Sequence, residues 1–229
     1  MKYKPGVDPD FPYLTENDYF QFPNPDKVDG GIVAAGGNLS PGMLISAYKQ
    51  GIFPWYNDGD PLLWQSPDPR FIIRPENLHI SSSMKKVFRQ NEYKITFDTV
   101  FPTVIKSCSE IKRGGQNGTW ITADMQKAYT KLWRLGIAHS CEAWYDNELA
   151  GGCYGLRIGR VFFGESMFAK RANASKAAFL TYAQKLFNED GIAFIDCQTV
   201  SVHLSSLGGE ELSRGDFLTL LRQTLKTKS

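Results

Sequence analysis

Residues 163–168 read FGESMF and residues 195–198 read IDCQ, and the segment between them has the apolar spacing of a helix. Both short runs look like buried β-strands, yet each contains a carboxylate, Glu165 or Asp196. Burying an unpaired carboxylate costs free energy, so each one needs a partner or a function. We expect the functional site where these two strands meet.

The surrounding sequence predicts a mixed sheet with helices packed on it. Residues 140–144, 150–156 and 160–168 are strand-like runs joined by turn signals, which predicts an antiparallel meander. A helix follows, then a strand over residues 192–199, a short helix near residues 202–207 and a terminal helix from Ser213. This order indicates the α+β class, with a mixed α/β sheet.

Proline and aspartate mark an internal boundary near residue 70. Residues 57–70 combine the turn sequence NDGD with SPDPR, a density that usually separates two units. We therefore predict a small N-terminal domain over residues 1–70 and a second domain over residues 71–229. In the first domain, Ser40 is a good N-cap and Pro41 a good first residue for a helix.

The bulk composition excludes several classes of protein. No apolar run approaches the length of a membrane span, and the first residues lack the apolar centre of a signal peptide, so we expect a cytoplasmic protein. The cysteines and histidines show no metal-ligand spacing, so we expect no metal.

The charge is unevenly distributed: residues 1–60 carry a net charge of −4 and residues 61–229 one of +6. A polyanion would bind mainly to the second part, although ordinary solvated surface is the alternative.

Strand alternation brings the polar residues together. It places Glu165 and Met167 on one face of their strand, and Asp196 beside Gln198 on one face of the next. On neighbouring strands these side chains would converge on one cleft, although a buried structural network is the alternative.

Three tryptophans occur outside core-like settings: Trp55 and Trp64 among prolines, and Trp120 after a basic glycine-rich loop. Such rings could stack on unpaired bases or could simply pack their loops.

His203 follows the IDCQ motif. The favoured interpretation is a structural histidine whose ring nitrogens are hydrogen-bonded within the protein.

Eight short motifs, in order and across nearly the whole chain, resemble those of the leucyl/phenylalanyl-tRNA–protein transferases. They are GNLSP (37–41), GIFPW (51–55), SPDPR (66–70), HIS (79–81), GTWIT (118–122), GESMF (164–168), NASK (173–176) and IDCQ (195–198). The resemblance implies a second domain of the acetyltransferase-like (GNAT) fold. It also implies an enzyme that moves leucine or phenylalanine from tRNA to proteins beginning with Arg or Lys, which marks those proteins for degradation.

The resemblance also implies roles for individual residues. Asp196 and Gln198 would handle the proton of the attacking amine, with Asp196 as the electrostatic driver and Gln198 chiefly as an orienter. Glu165 would bind the cationic side chain of the acceptor, and Trp55 and Trp120 would contact the terminal adenosine of the tRNA.

Two larger groups complete the expected site. The aminoacyl pocket would use Cys153, Phe162, Met167, Phe179, Tyr182 and Ile195. Basic candidates for the tRNA acceptor stem are Lys85, Lys86, Arg89, Lys112 and Arg113, together with Lys170 and Arg171. We expect Leu-tRNA, Phe-tRNA and the acceptor protein as partners, no cofactor and a monomer.

Three other interpretations stay open. An acyl-CoA N-acyltransferase of the GNAT fold would need a glycine-rich pyrophosphate turn, and residues 171–176 read RANASK without glycine. A cell-wall peptide aminoacyltransferase would usually be longer, with a helical arm. A non-catalytic tRNA- or degron-binding module would need the cleft but not the Asp196 and Gln198 pair.

Overall fold

The computed structural model describes residues 5–111 and 120–227, which form two sheets. The smaller sheet is antiparallel and contains β1 (Ile32–Ala35), β2 (Phe53–Pro54) and β3 (Leu63–Gln65), in the order β1-β3-β2. Helix α1 (Pro41–Lys49) lies between β1 and β2 in the chain. The α+β class with a small N-terminal unit is confirmed, but the strands of this small sheet were not predicted.

The larger sheet has seven strands in the order β10-β4-β9-β8-β7-β6-β5. They are β4 (Arg70–Ile73), β5 (Lys94–Phe97), β6 (Ala138–Tyr145), β7 (Glu148–Ile158), β8 (Val161–Ala169), β9 (Phe194–Gln198) and β10 (Glu210–Leu212). Strands β6, β7 and β8 pair antiparallel, so the predicted meander is confirmed. Strands β8 and β9 pair in parallel, and every other neighbouring pair of this sheet is antiparallel.

Helices cover the larger sheet and connect its strands. They are α2 (Ser82–Arg89), α3 (Phe101–Glu110), α4 (Ala123–Arg134), α5 (Ala174–Asn188), α6 (Val202–Ser205) and α7 (Arg214–Lys226). Helix α5 joins β8 to β9, because two parallel strands need a crossover between them. Within the described residues, no helix combines the length and apolarity needed to cross a lipid bilayer.

Ser40 occupies the N-cap position of α1, but its side chain makes a different bond from the one expected. Its Oγ accepts the backbone N–H of Leu14 at 3.2 Å and makes no cap bond to α1. The carbonyl of Leu14 in turn accepts the N–H of Gly42, at 3.0 Å. Ser40 therefore fixes the extended N-terminal segment against the start of α1.

One continuous core joins the two units. Trp64 of the small sheet and Met43 of α1 belong to the same buried cluster as Phe101 and Phe217 of the larger unit. Arg214 at the start of α7 donates to the carbonyl oxygens of two N-terminal residues, at 2.8 and 3.0 Å. The domain division at residue 70 remains a prediction, although β3 ends at Gln65 in one sheet and β4 begins at Arg70 in the other.

Candidate active site

The parallel strands β8 and β9 separate after their third residue pair, and a cleft opens there. The last pair is Phe163 with Asp196. Beyond it, each strand carries a β-bulge toward its other neighbour. Glu165 is the extra residue between β8 and β7, and Cys197 is the extra residue between β9 and β4. Bulges bend a strand and redirect its side chains, so these two explain why the strands diverge at this point.

The two bulges overturn the alternation expected from the sequence. All four residues 164–167 line the cleft instead of alternate ones. Gln198 adopts a left-handed backbone (φ 61°), and both Cys197 and Gln198 line the cleft while Asp196 does not. Glu165 and Gln198 therefore meet at the cleft as expected, whereas Asp196 lies buried beside it and does not line it.

The β8 bulge depends on close packing at Gly155 of β7. A Cβ atom at this position would lie 2.2 Å from the carbonyl oxygen of Phe163, far inside van der Waals contact. Gly155 pairs with Gly164, immediately beside the extra residue Glu165. Glycine thus allows the two backbones to approach where Glu165 is turned toward the cleft.

Asp196 is fully buried and paired with an arginine that the sequence did not single out. Arg70 Nε donates to Oδ1 at 2.8 Å and Nη2 to Oδ2 at 2.6 Å, and both side chains are 0% exposed. Oδ1 also accepts the backbone N–H of Gln198 at 3.0 Å. The guanidinium lies 4.9 Å from the ring centre of Phe53 and 4.5 Å from that of Phe217. Asp196 therefore holds the backbone at Gln198 and does not contact its side-chain amide in this structure.

Glu165 is the carboxylate that faces the cavity. Its Oε1 accepts the hydroxyl of Tyr48 at 2.6 Å and the side-chain Nε2 of Gln198 at 3.3 Å. Tyr48 of α1 is itself hydrogen-bonded to Tyr129 of α4, and both rings are buried. Burial raises the pKa of Glu165 to about 7, while the hydrogen bonds from the two tyrosines oppose that increase. Its ionisation therefore changes near neutral pH.

The cavity at this cleft has a volume of about 450 Å³ and is lined mainly by apolar and aromatic side chains. Four of the six predicted pocket residues line it: Cys153, Phe162, Met167 and Phe179. Tyr182 and Ile195 do not. Tyr182 packs edge-on against Phe162, with ring centres 5.2 Å apart, and Ile195 is fully buried in the same core cluster. These two residues support the pocket wall from behind.

The tryptophans and basic residues singled out from the sequence fall into three groups. Trp55 and Trp120 line the cavity and are partly exposed, and Trp55 stacks on Phe53. Trp64 is buried, with its Nε1 donating to the carbonyl of Gly36 at 2.9 Å, which agrees with a packing role although its sequence setting looked exposed. The basic residues Lys85, Lys86 and Arg89 are exposed on α2, Lys170 and Arg171 are exposed after β8, and Lys112 and Arg113 lie outside the described residues.

Sequence reasoning missed Arg70, Tyr48 and Tyr129. Arg70 ends the SPDPR motif, and a buried acid requires a cationic or hydrogen-bonding partner, so these two facts together could have identified it. Tyr48 and Tyr129 are helix residues with the spacing of ordinary core positions, and nothing local marks them as partners of Glu165. Among the described residues, no group of three or more His, Cys, Asp or Glu side chains could hold a metal ion.

Comparison with known proteins agrees with the order of motifs. The family model described as "Leucyl/phenylalanyl-tRNA protein transferase" matches residues 72–222, and the model of the N-terminal domain of the same family matches residues 37–68. A relative named leucyl/phenylalanyl-tRNA–protein transferase from Desulfatibacillum aliphaticivorans is 51% identical over 90% of this chain and 88% of its own length. One of the same name from Myxococcus xanthus is 47% identical over 93% and 92%.

Among solved structures, the chain is similar to a GCN5-related N-acetyltransferase from Kribbella flavida. The identity is 10% and the TM-score 0.38, over 76% of this chain and 62% of that one. A structural similarity this low supports no conclusion about the reaction. The two family models and the relatives at 51% and 47% identity show that the chain belongs to the leucyl/phenylalanyl-tRNA–protein transferase family. The prediction that it is an aminoacyltransferase is thereby confirmed.

Proposed function

We propose that this chain moves leucine or phenylalanine from charged tRNA to the α-amino group of a protein whose N-terminal residue is Arg or Lys. The new N-terminal residue would mark that protein for proteolysis. The observation that carries this proposal is the Glu165 carboxylate, which lies in the wall of a mainly apolar cavity and is held by Tyr48 and Gln198. The apolar part suits the transferred side chain, and the carboxylate suits the cationic one.

The aminoacyl side chain would occupy the part of the cavity lined by Cys153, Phe162, Met167 and Phe179. Tyr182 and Ile195 would fix the position of these walls from behind. Leucine and phenylalanine are not branched at Cβ, and a slot with rigid walls can reject β-branched side chains by shape. Such discrimination is limited to about 1–3 kcal/mol for each methylene-sized difference.

The acceptor would enter with its Arg or Lys side chain toward Glu165. A partly buried carboxylate gains most from a cationic partner, because that partner removes the cost of ionising it in an apolar wall. An acidic N-terminal residue would be repelled. The bidentate pair of Arg70 and Asp196 is already satisfied, so it would not compete for the acceptor.

Catalysis would depend mainly on placement. An aminoacyl ester is already activated, and the amine must meet its carbonyl carbon at about 3 Å. Gln198 lines the cavity and would orient the reacting groups through its amide. Asp196 would act through Gln198 by accepting its backbone N–H, which makes it a positioning residue in this proposal.

The tRNA would approach from the mouth of the cavity. Trp55 and Trp120 would stack on the terminal adenosine, and the basic residues of α2 would bind the acceptor stem, with Lys112 and Arg113 as further candidates from the sequence. We also propose that the protein acts as a monomer. Use of charged tRNA supports a cytoplasmic location.

The proposed function is tested by supplying Leu-tRNA, Phe-tRNA or Ile-tRNA with a peptide that begins with Arg. We expect transfer of leucine and phenylalanine and much weaker transfer of isoleucine. A matched peptide beginning with Glu should not be modified, and acetyl-CoA should not replace the tRNA. Acetylation of the peptide, or binding of charged tRNA without transfer, would contradict the proposal, and equal transfer of isoleucine would contradict the shape argument.

Trp120→Ala should weaken the use of charged tRNA. Loss of one stacked base costs about 1–3 kcal/mol, which corresponds to a rise in the KM for Leu-tRNA of roughly 5- to 150-fold. Steady-state kinetics at a saturating acceptor peptide would measure it. Trp120→Phe is the matched control, because it keeps an aromatic face and should retain most of the affinity. An unchanged KM in Trp120→Ala would remove this residue from the tRNA site.

A further inference from the structure

His203 lines the cavity but has no role in the reaction as proposed so far. It lies in α6, which begins four positions after the last residue of β9, and it lines the same cavity as Gln198. Its Nε2 is buried and has no hydrogen-bond partner among the described residues. The sequence favoured a satisfied structural histidine, and the structure does not supply the partner which that interpretation requires.

The backbone around His203 is well held, so a fixed turn presents the ring. Ser201 caps α6 by accepting the N–H of Leu204 at 3.1 Å, and Ser206 Oγ donates to the carbonyl of His203 at 2.6 Å. A buried nitrogen without a partner is unfavourable, and native proteins leave few such atoms unexplained. In the wall of a binding cavity, the natural explanation is a hydrogen bond that forms when the substrate enters.

The other polar residues of the site are poorly suited to accept a proton from the amine. Asp196 is occupied by Arg70 and does not reach the cavity. Glu165 accepts hydrogen bonds from Tyr48 and Gln198, and in the proposed complex it is paired with the acceptor's cation. An amide such as that of Gln198 is a very weak base. The imidazole nitrogen is the group with the required chemistry.

We propose, on the basis of the transfer reaction proposed above, that His203 Nε2 is the general base that accepts the proton of the attacking α-amino group. The amine nitrogen bonds to the carbonyl carbon of the aminoacyl ester, and one of its protons passes to Nε2. The bond from that carbon to the ribose oxygen then breaks, and the imidazolium returns the proton to this oxygen. The products are the new peptide bond and a free ribose hydroxyl, with all atoms and charges balanced.

The charge environment keeps this imidazole neutral before the reaction. Burial lowers the pKa of His203 below its usual value of 6.5, and the positive charge of Lys176 on α5 lowers it further. The other titratable side chains around the cavity are Glu165 of β8, Cys153 and Tyr154 of β7, and Cys197 of β9. At neutral pH, His203 is therefore able to accept a proton.

The test measures kcat against pH with Leu-tRNA and an Arg-initiated peptide both saturating, for the wild type and for His203→Gln. General-base catalysis is worth about 10²- to 10⁴-fold, so we expect kcat to fall by that factor in His203→Gln while the KM for Leu-tRNA changes little. Besides the rise caused by the acceptor's own amine, the wild-type profile should show a second acidic limb below the lowered pKa of His203, and this second limb should be absent in the variant. Imidazole added to His203→Ala should restore part of kcat.

His79→Gln is the matched control, because His79 is an exposed histidine outside the cavity and its replacement should leave the profile unchanged. A kcat in His203→Gln within threefold of the wild type would overturn the inference. A loss that imidazole does not rescue, with the acidic limb retained, would also overturn it and would indicate a structural role. If the variants fold poorly, a wild-type kcat that shows no such limb anywhere in the pH range over which the protein stays folded would decide against His203. Failure of the wild type to transfer any amino acid would instead contradict the proposed function.

Discussion

Asp196→Ala is expected to lower the free energy of unfolding by about 3–5 kcal/mol, because it leaves the buried Arg70 guanidinium without a counter-charge. Both side chains are 0% exposed, so water cannot replace the lost carboxylate. Denaturant unfolding, followed by tryptophan fluorescence, would measure the change. This destabilisation means that inactivity of Asp196→Ala would say little by itself about a role of Asp196 in the reaction.

The double variant Arg70→Met/Asp196→Leu separates stability from activity. Replacing a buried ion pair by apolar side chains of similar volume is often neutral or stabilising, so this protein should recover most of the lost stability. It would still lack the acceptor for the N–H of Gln198, and we expect kcat to stay low. A double variant with wild-type kcat would show that the hydrogen bond to Gln198 is not needed for positioning. Wild-type stability in Asp196→Ala would contradict the account of the ion pair.

Glu165→Gln should reduce kcat/KM for an Arg-initiated peptide on the order of 30-fold or more. Removing one partner of a buried charge pair costs roughly 2–5 kcal/mol, and each 1.4 kcal/mol is a factor of ten. Gln keeps the shape and can still accept the hydroxyl of Tyr48 through its amide oxygen, so the change removes mainly the charge. The effect should nearly vanish when the acceptor begins with citrulline, which has the shape of arginine without its charge.

The pH dependence of this capture follows from the pKa of Glu165, which is about 7. Below that pH the carboxyl is protonated and neutral, and above it the carboxylate can bind the cation. We therefore expect kcat/KM for the Arg-initiated peptide to rise as the pH increases through 7, beyond the rise caused by the acceptor's own amine. Glu165→Gln should lose this component.

Glu211→Gln is the matched control for Glu165→Gln, because it removes the same charge from an exposed residue on β10. It should behave like the wild type with every acceptor. If Glu165→Gln kept its preference for an N-terminal Arg over citrulline, another residue would have to select the acceptor.

The sequence predicted the meander, the crossover helix and the meeting of the two acidic strands, because apolar periodicity and turn residues determine these features locally. It did not predict the direction of the side chains at the cleft. The rule of alternation assumes an uninterrupted ladder, and the extra residues Glu165 and Cys197 break that ladder on both strands. Whether a bulge forms depends on the neighbouring strand, as the close approach at Gly155 shows.

Partners far apart in the chain were equally hard to predict. Arg70 and Asp196 are separated by 126 positions, and Tyr48 and Glu165 by 117. Nothing in the local sequence around one member of each pair specifies the other. The prediction that buried acids need a partner was sound in its physics, yet only the fold identifies which residue is near.

The position of β4 in the sheet has a consequence for how the protein is made. Its two neighbours are β9 and β10, which are among the last strands to leave the ribosome. Until they emerge, both edges of β4 lack their hydrogen-bond partners, and Arg70 has no carboxylate beside it. The site can therefore be assembled only late in synthesis, and a chain that stops before residue 194 would expose an apolar strand edge that invites aggregation.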